Sequence, residues 1–203
     1  WAANNRIDFI TPAATQYRTT APTINDGEWY HLAIVFNKDG GSHTERYKGY
    51  INGVYYANER TTSTSDALPT TSNSFELGKY GSIGSQFNGK MSNIAIWNSD
   101  QSSEISNIYN SGVPATTYTN TPTAWYKLDQ SANWEADAAS TWQIPDAVSS
   151  YPQSFDFDGS TQKIQVRNDS FGLTQEITVS TWVRIPNGSA GGGAPNIQQI
   201  VSE

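Results

Sequence analysis

The sequence contains no cysteine. That excludes a disulfide framework, a thiolate metal site and a cysteine nucleophile. Histidine is almost absent, with only His31 and His43. No H-E-x-x-H or Ser-His-Asp spacing is present, so zinc and nucleophilic chemistry are not expected. No apolar run approaches the roughly 20 residues needed to cross a bilayer, and membrane insertion is not expected. Positive charge is scarce: 12 Lys and Arg stand against 19 Asp and Glu, a net charge of −7. The cations are scattered singly rather than gathered on a stripe, which excludes a nucleic-acid partner. The chain opens on Trp1 with no leader pattern, and the expectation is a segment of something longer.

What is present points to β-structure. At 203 residues the chain is long enough for one large all-β domain with a core that needs no staples. Aromatics make up 12% and charged residues only 15%, and Ser, Thr, Asn and Gly are abundant. That mixture favours short strands joined by polar turns, on an uncharged polar surface suited to secreted, adhesive or virion proteins. Strands are expected at Arg6–Ile10, Trp29–Phe36, Phe75–Leu77 and Phe87–Trp97, and later at 125–128, 155–157, 163–166, 177–185 and 197–201. Residues 45–58 read as a hairpin about Asn52-Gly53, because a type I′ turn needs positive φ at both positions. Lys38–Thr44, 61–74, 80–86 and 187–195 read as loops.

One helix is expected, over Asp100–Asn110. Ile105, Ile108 and Tyr109 form its apolar stripe, Asp100 or Ser102 its cap, and Gly112 with Pro114 its stop. The Thr/Pro-rich run 113–123 reads as a linker. Trp29, Trp97, Trp125 and Trp182 are expected in the core. Trp134 and Trp142, in an irregular polar stretch, need partners. Strands at this spacing argue for a sandwich rather than βαβ units.

The run Asp26-Gly27-Glu28-Trp29-Tyr30-His31-Leu32-Ala33 resembles a middle strand of the laminin-G-like, concanavalin A-like lectin-glucanase jelly rolls. Tyr50-Ile51-Asn52-Gly53 resembles that family's hairpin. Phe87-Asn88-Gly89-Lys90 with Ile94-Ala95-Ile96-Trp97-Asn98 resembles its closing strand, and Glu104 through Tyr109 with Gly112 the short helix that follows. Phe157-Asp158-Gly159 with Ile164 and Val166 resembles its opening strands, and Ile177 through Val183 its second. The resemblance implies an all-β, antiparallel jelly-roll β-sandwich with one short helix. It covers most of the chain but in shuffled order: 1–112 matches the C-terminal portion of the sandwich and 124–203 the N-terminal portion. The expectation is therefore a permuted domain closed on itself, or adjoining repeats. In the second case a neighbouring copy completes the fold by a head-to-tail contact, since an unpaired half would expose strand edges.

Candidate chemistry is sparse. Related glucanases carry three alternating acids; Glu135-Ala136-Asp137-Ala138-Ala139 lacks the third, and a retaining hydrolase needs two carboxyls about 5–5.5 Å apart. His31 reads as a packed strand histidine and His43 as a solvated one. No cofactor is called for, with calcium as the one metal to consider: Asp156 and Asp158 alternate on one strand and share a face at the sheet rim, although Asp in a turn also serves backbone N–H groups. A glycan would use exposed aromatics, with Tyr55, Tyr56 and Tyr80, joined by Asn58, as the ligand-binding set; cross-strand aromatic packing is the competing role. Asn168-Asp169-Ser170 and Asn187-Gly188-Ser189 fit the glycosylation pattern. The expected function is a non-enzymatic structural or adhesive repeat of an extracellular, cell-surface or virion assembly, with neighbouring copies and a glycan as partners. A monomeric carbohydrate-binding module is the alternative, and a glycoside hydrolase the second.

Overall fold

A computed structural model of the chain describes residues 8–10, 16–18, 24–57, 75–80, 85–128, 133–135, 141–143, 155–158, 164–166, 176–184 and 201–202. The strands are β1 (Asp8–Ile10), β2 (Gln16–Arg18), β3 (Trp29–Asn37), β4 (Tyr47–Ile51), β5 (Val54–Tyr56), β6 (Phe75–Leu77), β7 (Lys79–Tyr80), β8 (Ser85–Gln86) and β9 (Asn88–Trp97). They continue with β10 (Ala124–Tyr126), β11 (Asn133–Glu135), β12 (Thr141–Gln143), β13 (Phe155–Asp158), β14 (Ile164–Val166), β15 (Glu176–Arg184) and β16 (Val201–Ser202). Two short helices, α1 (His43–Arg46) and α2 (Ile105–Tyr109), interrupt them.

The principal sheet has the order β10-β9-β15-β3-β4-β5, with β13 also on β9. Every pairing in it is antiparallel. β15 pairs with β3 along its whole length, from Glu176 opposite Asn37 to Arg184 opposite Trp29, and with β9 on its other side. β15 therefore shares one sheet with β3, β4, β5 and β9 of the earlier segment. β3 is a nearly continuous apolar run, and β15 adds small Thr and Ser residues that are buried with its Ile, Val and Trp, because the sheet is covered on both faces. On one face Ala33, Val35, Tyr50, Ala95 and Trp97 pack beneath Ile105 and Ile108 of α2. On the other, Leu32, Phe36, Ile51, Ile94, Ile96, Val179 and Val183 are all buried. Smaller sheets, β14-β6-β16, β1-β2, β7-β8 and β11-β12, complete the described pairings. The architecture is an all-β antiparallel sandwich.

Local chemistry fixes the connections. Asn52 and Gly53 have φ of 50° and 77°, the two positive values that a type I′ turn requires. The Asn52 side chain also accepts the His31 backbone N–H at 2.9 Å, which ties the hairpin tip to β3. A register shift where β15 passes β9 coincides with Asn93 at φ 54°, a bulge inside the sheet.

Four expectations need correction. Residues 38–44 are not all loop: Ser42 and Glu45 form a capping box, in which the Ser42 hydroxyl accepts the Glu45 N–H and donates to the Glu45 carboxylate, so a helical turn begins at His43. The 80–86 loop contains the β7–β8 pair. The second helix spans only Ile105–Tyr109, and neither Asp100 nor Ser102 caps it. Asp100 instead accepts Ser102 N–H in a turn, and the helix ends at Asn110 in the left-handed conformation, ahead of Gly112. Trp29 is 37% exposed rather than in the core, whereas Trp97 and Trp182 are buried and Trp125 is half-buried. Trp134 and Trp142 are register partners of β11 and β12.

Candidate functional site

β5 is the terminal strand of the principal sheet among the described residues, pairing only with β4. Tyr55 sits there opposite Tyr50, their rings 5.6 Å apart and inclined at 56°. Tyr50 is buried under α2, so it anchors a partner that is itself 44% exposed. The arrangement holds an aromatic ring at the sheet edge with part of its surface open to solvent. Such a ring can stack on the apolar face of a sugar. Tyr56 is next in the strand and so points to the opposite face; it pairs with Gly49 and is half-buried. Tyr80 lies in β7, opposite Ser85, in a separate two-stranded pair. Asn58 falls outside the described residues. Tyr55 and Tyr56 thus lie on opposite faces of β5, and Tyr80 lies on a different strand.

Asp156 and Asp158 lie on β13, two residues apart and on one face. Their register partners on β9 are Lys90 and Asn88. The next strand continues the row, with Arg184 opposite Lys90. Among the described residues, no group of three or more His, Cys, Asp and Glu is placed to hold a metal ion. Glu135 is the last residue of β11, opposite Thr141; Asp137 and both glycosylation patterns lie outside the described residues.

The most chemically specific constellation is at His31, which the sequence placed as a strand histidine without naming its partner. His31 Nε2 lies 2.7 Å from Ser180 Oγ. Both residues are buried, and the ring is walled by Tyr109 and Trp182 at centroid distances of 5.6 and 5.3 Å. Burial alone lowers the His31 pKa from 6.5 to about 4, so the imidazole is neutral at neutral pH. Nδ1 has no hydrogen-bond partner. A bare lone pair there costs less than an orphaned N–H, so the favoured tautomer donates from Nε2 to Ser180. A Ser–His pair with no acid on Nδ1 and no opening to solvent lacks the third group and the substrate access of a hydrolytic triad. The sequence marks His31 as a polar residue in an apolar strand, but Ser180 stands between Thr178 and Thr181 and nothing marks it as the partner.

Two further polar systems fix the surroundings. Asn37 donates to Asp100 at 2.9 Å, and Lys48 lies 3.8 Å from the same carboxylate and 3.2 Å from Ser102 Oγ. Burial pushes the Asp100 carboxyl up, but hydrogen bonds from Ser102 and Asn37 and the Lys48 charge outweigh it and the net shift is downward. The 113–123 run, for its part, is a packed strap. Tyr118 stands edge-on to Trp97 and Trp125 at 5.0 and 4.8 Å, Trp97 Nε1 donates to the Asn120 carbonyl at 2.8 Å, and Asn93 accepts Trp125 Nε1 at 2.6 Å. Burial raises the Tyr118 pKa well above the ordinary phenol range.

An antiparallel sheet buried on both faces, with one short helix packed on it, defines an all-β sandwich. The sequence matches the family model described as the concanavalin A-like lectin/glucanases superfamily over residues 1–106, and the chain belongs to that superfamily. Laminin-G-like domains are generally non-enzymatic, while the superfamily also includes glycosidases. No curated protein and no solved structure matches the chain. No helix among the described residues is long and apolar enough to cross a membrane.

Proposed function

We propose that this chain is a non-enzymatic contact module: a structural or adhesive sandwich of an extracellular, cell-surface or virion assembly, with a saccharide as the ligand of its exposed edge. The observation that carries this reading is Tyr55, an aromatic ring braced by buried Tyr50 yet open to solvent on the terminal strand. Aromatic rings bury large area at small entropic cost and present an apolar face with a polar tip, which suits a sugar ring. Neither carboxylate geometry nor an activated nucleophile in the described residues supports the hydrolase alternative, and the His31–Ser180 pair serves packing instead.

The test is saccharide binding by the intact chain and by Tyr55→Ala, with and without calcium, across an array of glycans. We expect at least one glycan to bind the parent chain and the variant to lose about tenfold or more in affinity, since a stacked ring contributes on the order of 1–1.5 kcal/mol. Unchanged thermal stability would separate this from unfolding. Equal binding by both chains would remove Tyr55 from the reading, and no binding at all would remove the saccharide. Light scattering across a concentration series separates an assembling module from a monomeric carbohydrate binder.

A further inference from the structure

β15 is the last long strand in the chain and a central one in the sheet. Among the described pairings, β3 and β9 have no other strand linking them. The same holds more widely: β10, β13, β14, β15 and β16 all pair with strands of the earlier segment, and only β11 and β12 pair with each other. The later part of the chain is thus a set of strands inserted into an earlier part that supplies their neighbours.

The slot for β15 is keyed by polar contacts as well as by backbone. Ser180 meets His31 at 2.7 Å. Thr178 accepts the Gln101 N–H at 3.0 Å and donates to the Ser99 carbonyl at 2.9 Å. Glu176 accepts the Asp100 N–H at 3.1 Å, and Arg184 Nε donates to the Gly27 carbonyl at 2.7 Å. A slip of one residue would turn Thr178 and Ser180 to the opposite face and strand all of these groups. The slot therefore selects this strand and this register.

We propose that the slot between β3 and β9 is an interaction surface for residues 176–184 of a second copy of this chain, so that copies join by exchanging β15. None of the contacts that define the slot depends on which chain supplies the strand, because backbone ladders and side-chain keys are identical in cis and in trans. What favours closure within one chain is effective concentration, of order mM for a flexible connection. Exchange gains wherever copies are packed at comparable density, as in the assembly proposed above. This inference rests on that assembly reading and not on the saccharide contact. It gives assembly a specific joint, by a heterologous contact that need not close.

The absence of cysteine makes a clean test possible. Ile34 and Val179 are register partners with no polar role, and antiparallel partners lie about 4.5–5.5 Å apart at Cα, within disulfide range. Full-length Ile34→Cys and Val179→Cys chains are unfolded, mixed, refolded at about 10 μM and at about 1 mM, concentrations well below and near the intramolecular value, and oxidised. We expect a covalent heterodimer of twice the 22.3 kDa chain mass at the higher concentration, at least tenfold less at the lower, and in excess over either homodimer. Monomers only, or heterodimers no more abundant than homodimers, would overturn the proposal. So would failure of the double variant Ile34→Cys/Val179→Cys to close within one chain, since the slot register would then be wrong. If the cysteine chains do not fold, two differently tagged parent chains are co-refolded at the same concentrations. Co-retention on one tag is the expected result, and separate pools would overturn the proposal. A parent-chain mass that rises with concentration without heterodimer would keep assembly and sink exchange alone.

Discussion

Acid should weaken this protein through His31 before its carboxylates are protonated. The imidazole is buried with a folded pKa of about 4, against 6.5 for the exposed side chain. Between those values the unfolded chain binds a proton that the folded chain does not, so stability falls as pH falls through the window. The His31 contribution is fully present above about pH 6.5 and exhausted below about pH 4. A difference near 2.5 units, at 1.36 kcal/mol each, corresponds to about 3 kcal/mol. That is a large share of the 5–15 kcal/mol typical of a domain. Asp100, whose pKa is lowered, acts in a separate range: its contribution is present above its ordinary 3.8 and is lost only as pH falls below that. The assay is urea unfolding from pH 8 to pH 4, for the parent chain and for His31→Gln. The amide cannot titrate but can still face Ser180. At pH 7.5 the variant should be the less stable by about 1–2 kcal/mol, and the gap should close or reverse by pH 4. Parallel stability curves for the two chains over that range would refute the assignment of the acid sensitivity to His31.

Gly89→Ala should cost about 3 kcal/mol or more in urea unfolding, because Gly89 has φ of 152° and an added Cβ would run into the Arg184 carbonyl; a loss under 1 kcal/mol would show that the β9–β15 approach is looser than described. Trp97→Phe removes the Nε1 bond to the Asn120 carbonyl and part of the Tyr118 contact, and should cost about 2 kcal/mol with faster proteolysis inside 113–123. Unchanged cleavage there would mean the strap is held elsewhere. Ser180→Ala leaves the second His31 nitrogen unpaired as well and should cost about 1–3 kcal/mol by thermal unfolding; a neutral result would place a water or another group on the imidazole.

The strands with strong local signals were legible. The Trp29–Asn37 run, the Asn52-Gly53 hairpin and the Asn88–Trp97 strand follow from apolar runs and turn chemistry acting within a few residues. The capping box at Ser42 and Glu45 was also in the sequence, but the preceding glycines masked it. The start of α2 differs from the expectation because Asp100 and Ser102, the expected caps, are engaged with Asn37 and Lys48 across the sheet. Tertiary partners outbid the helix for them. Trp29 reads as core by type, yet it stands at the end of β3 opposite Arg184, where the apolar layer stops. The candidate site was partly legible. Tyr55 is an exposed aromatic as expected, but nothing local distinguishes it from Tyr56, which strand alternation sends the other way. His31 meeting Ser180 could not be read at all, because side chains 149 residues apart leave no periodic trace.

That same separation sets a schedule for synthesis. A ribosome adding 5–20 residues each second needs roughly 7–30 s to travel the 149 residues from His31 to Ser180. Once β9 has been made, for the later part of that interval, the nascent chain holds β3 and β9 with no strand between them, for longer than most hairpins or collapsed segments take to form. On the strand-exchange proposal, whichever strand fills the gap first, the chain's own or one from a neighbour on the same message, would decide the product, and translation speed and polysome spacing would then shape how the finished molecules are connected.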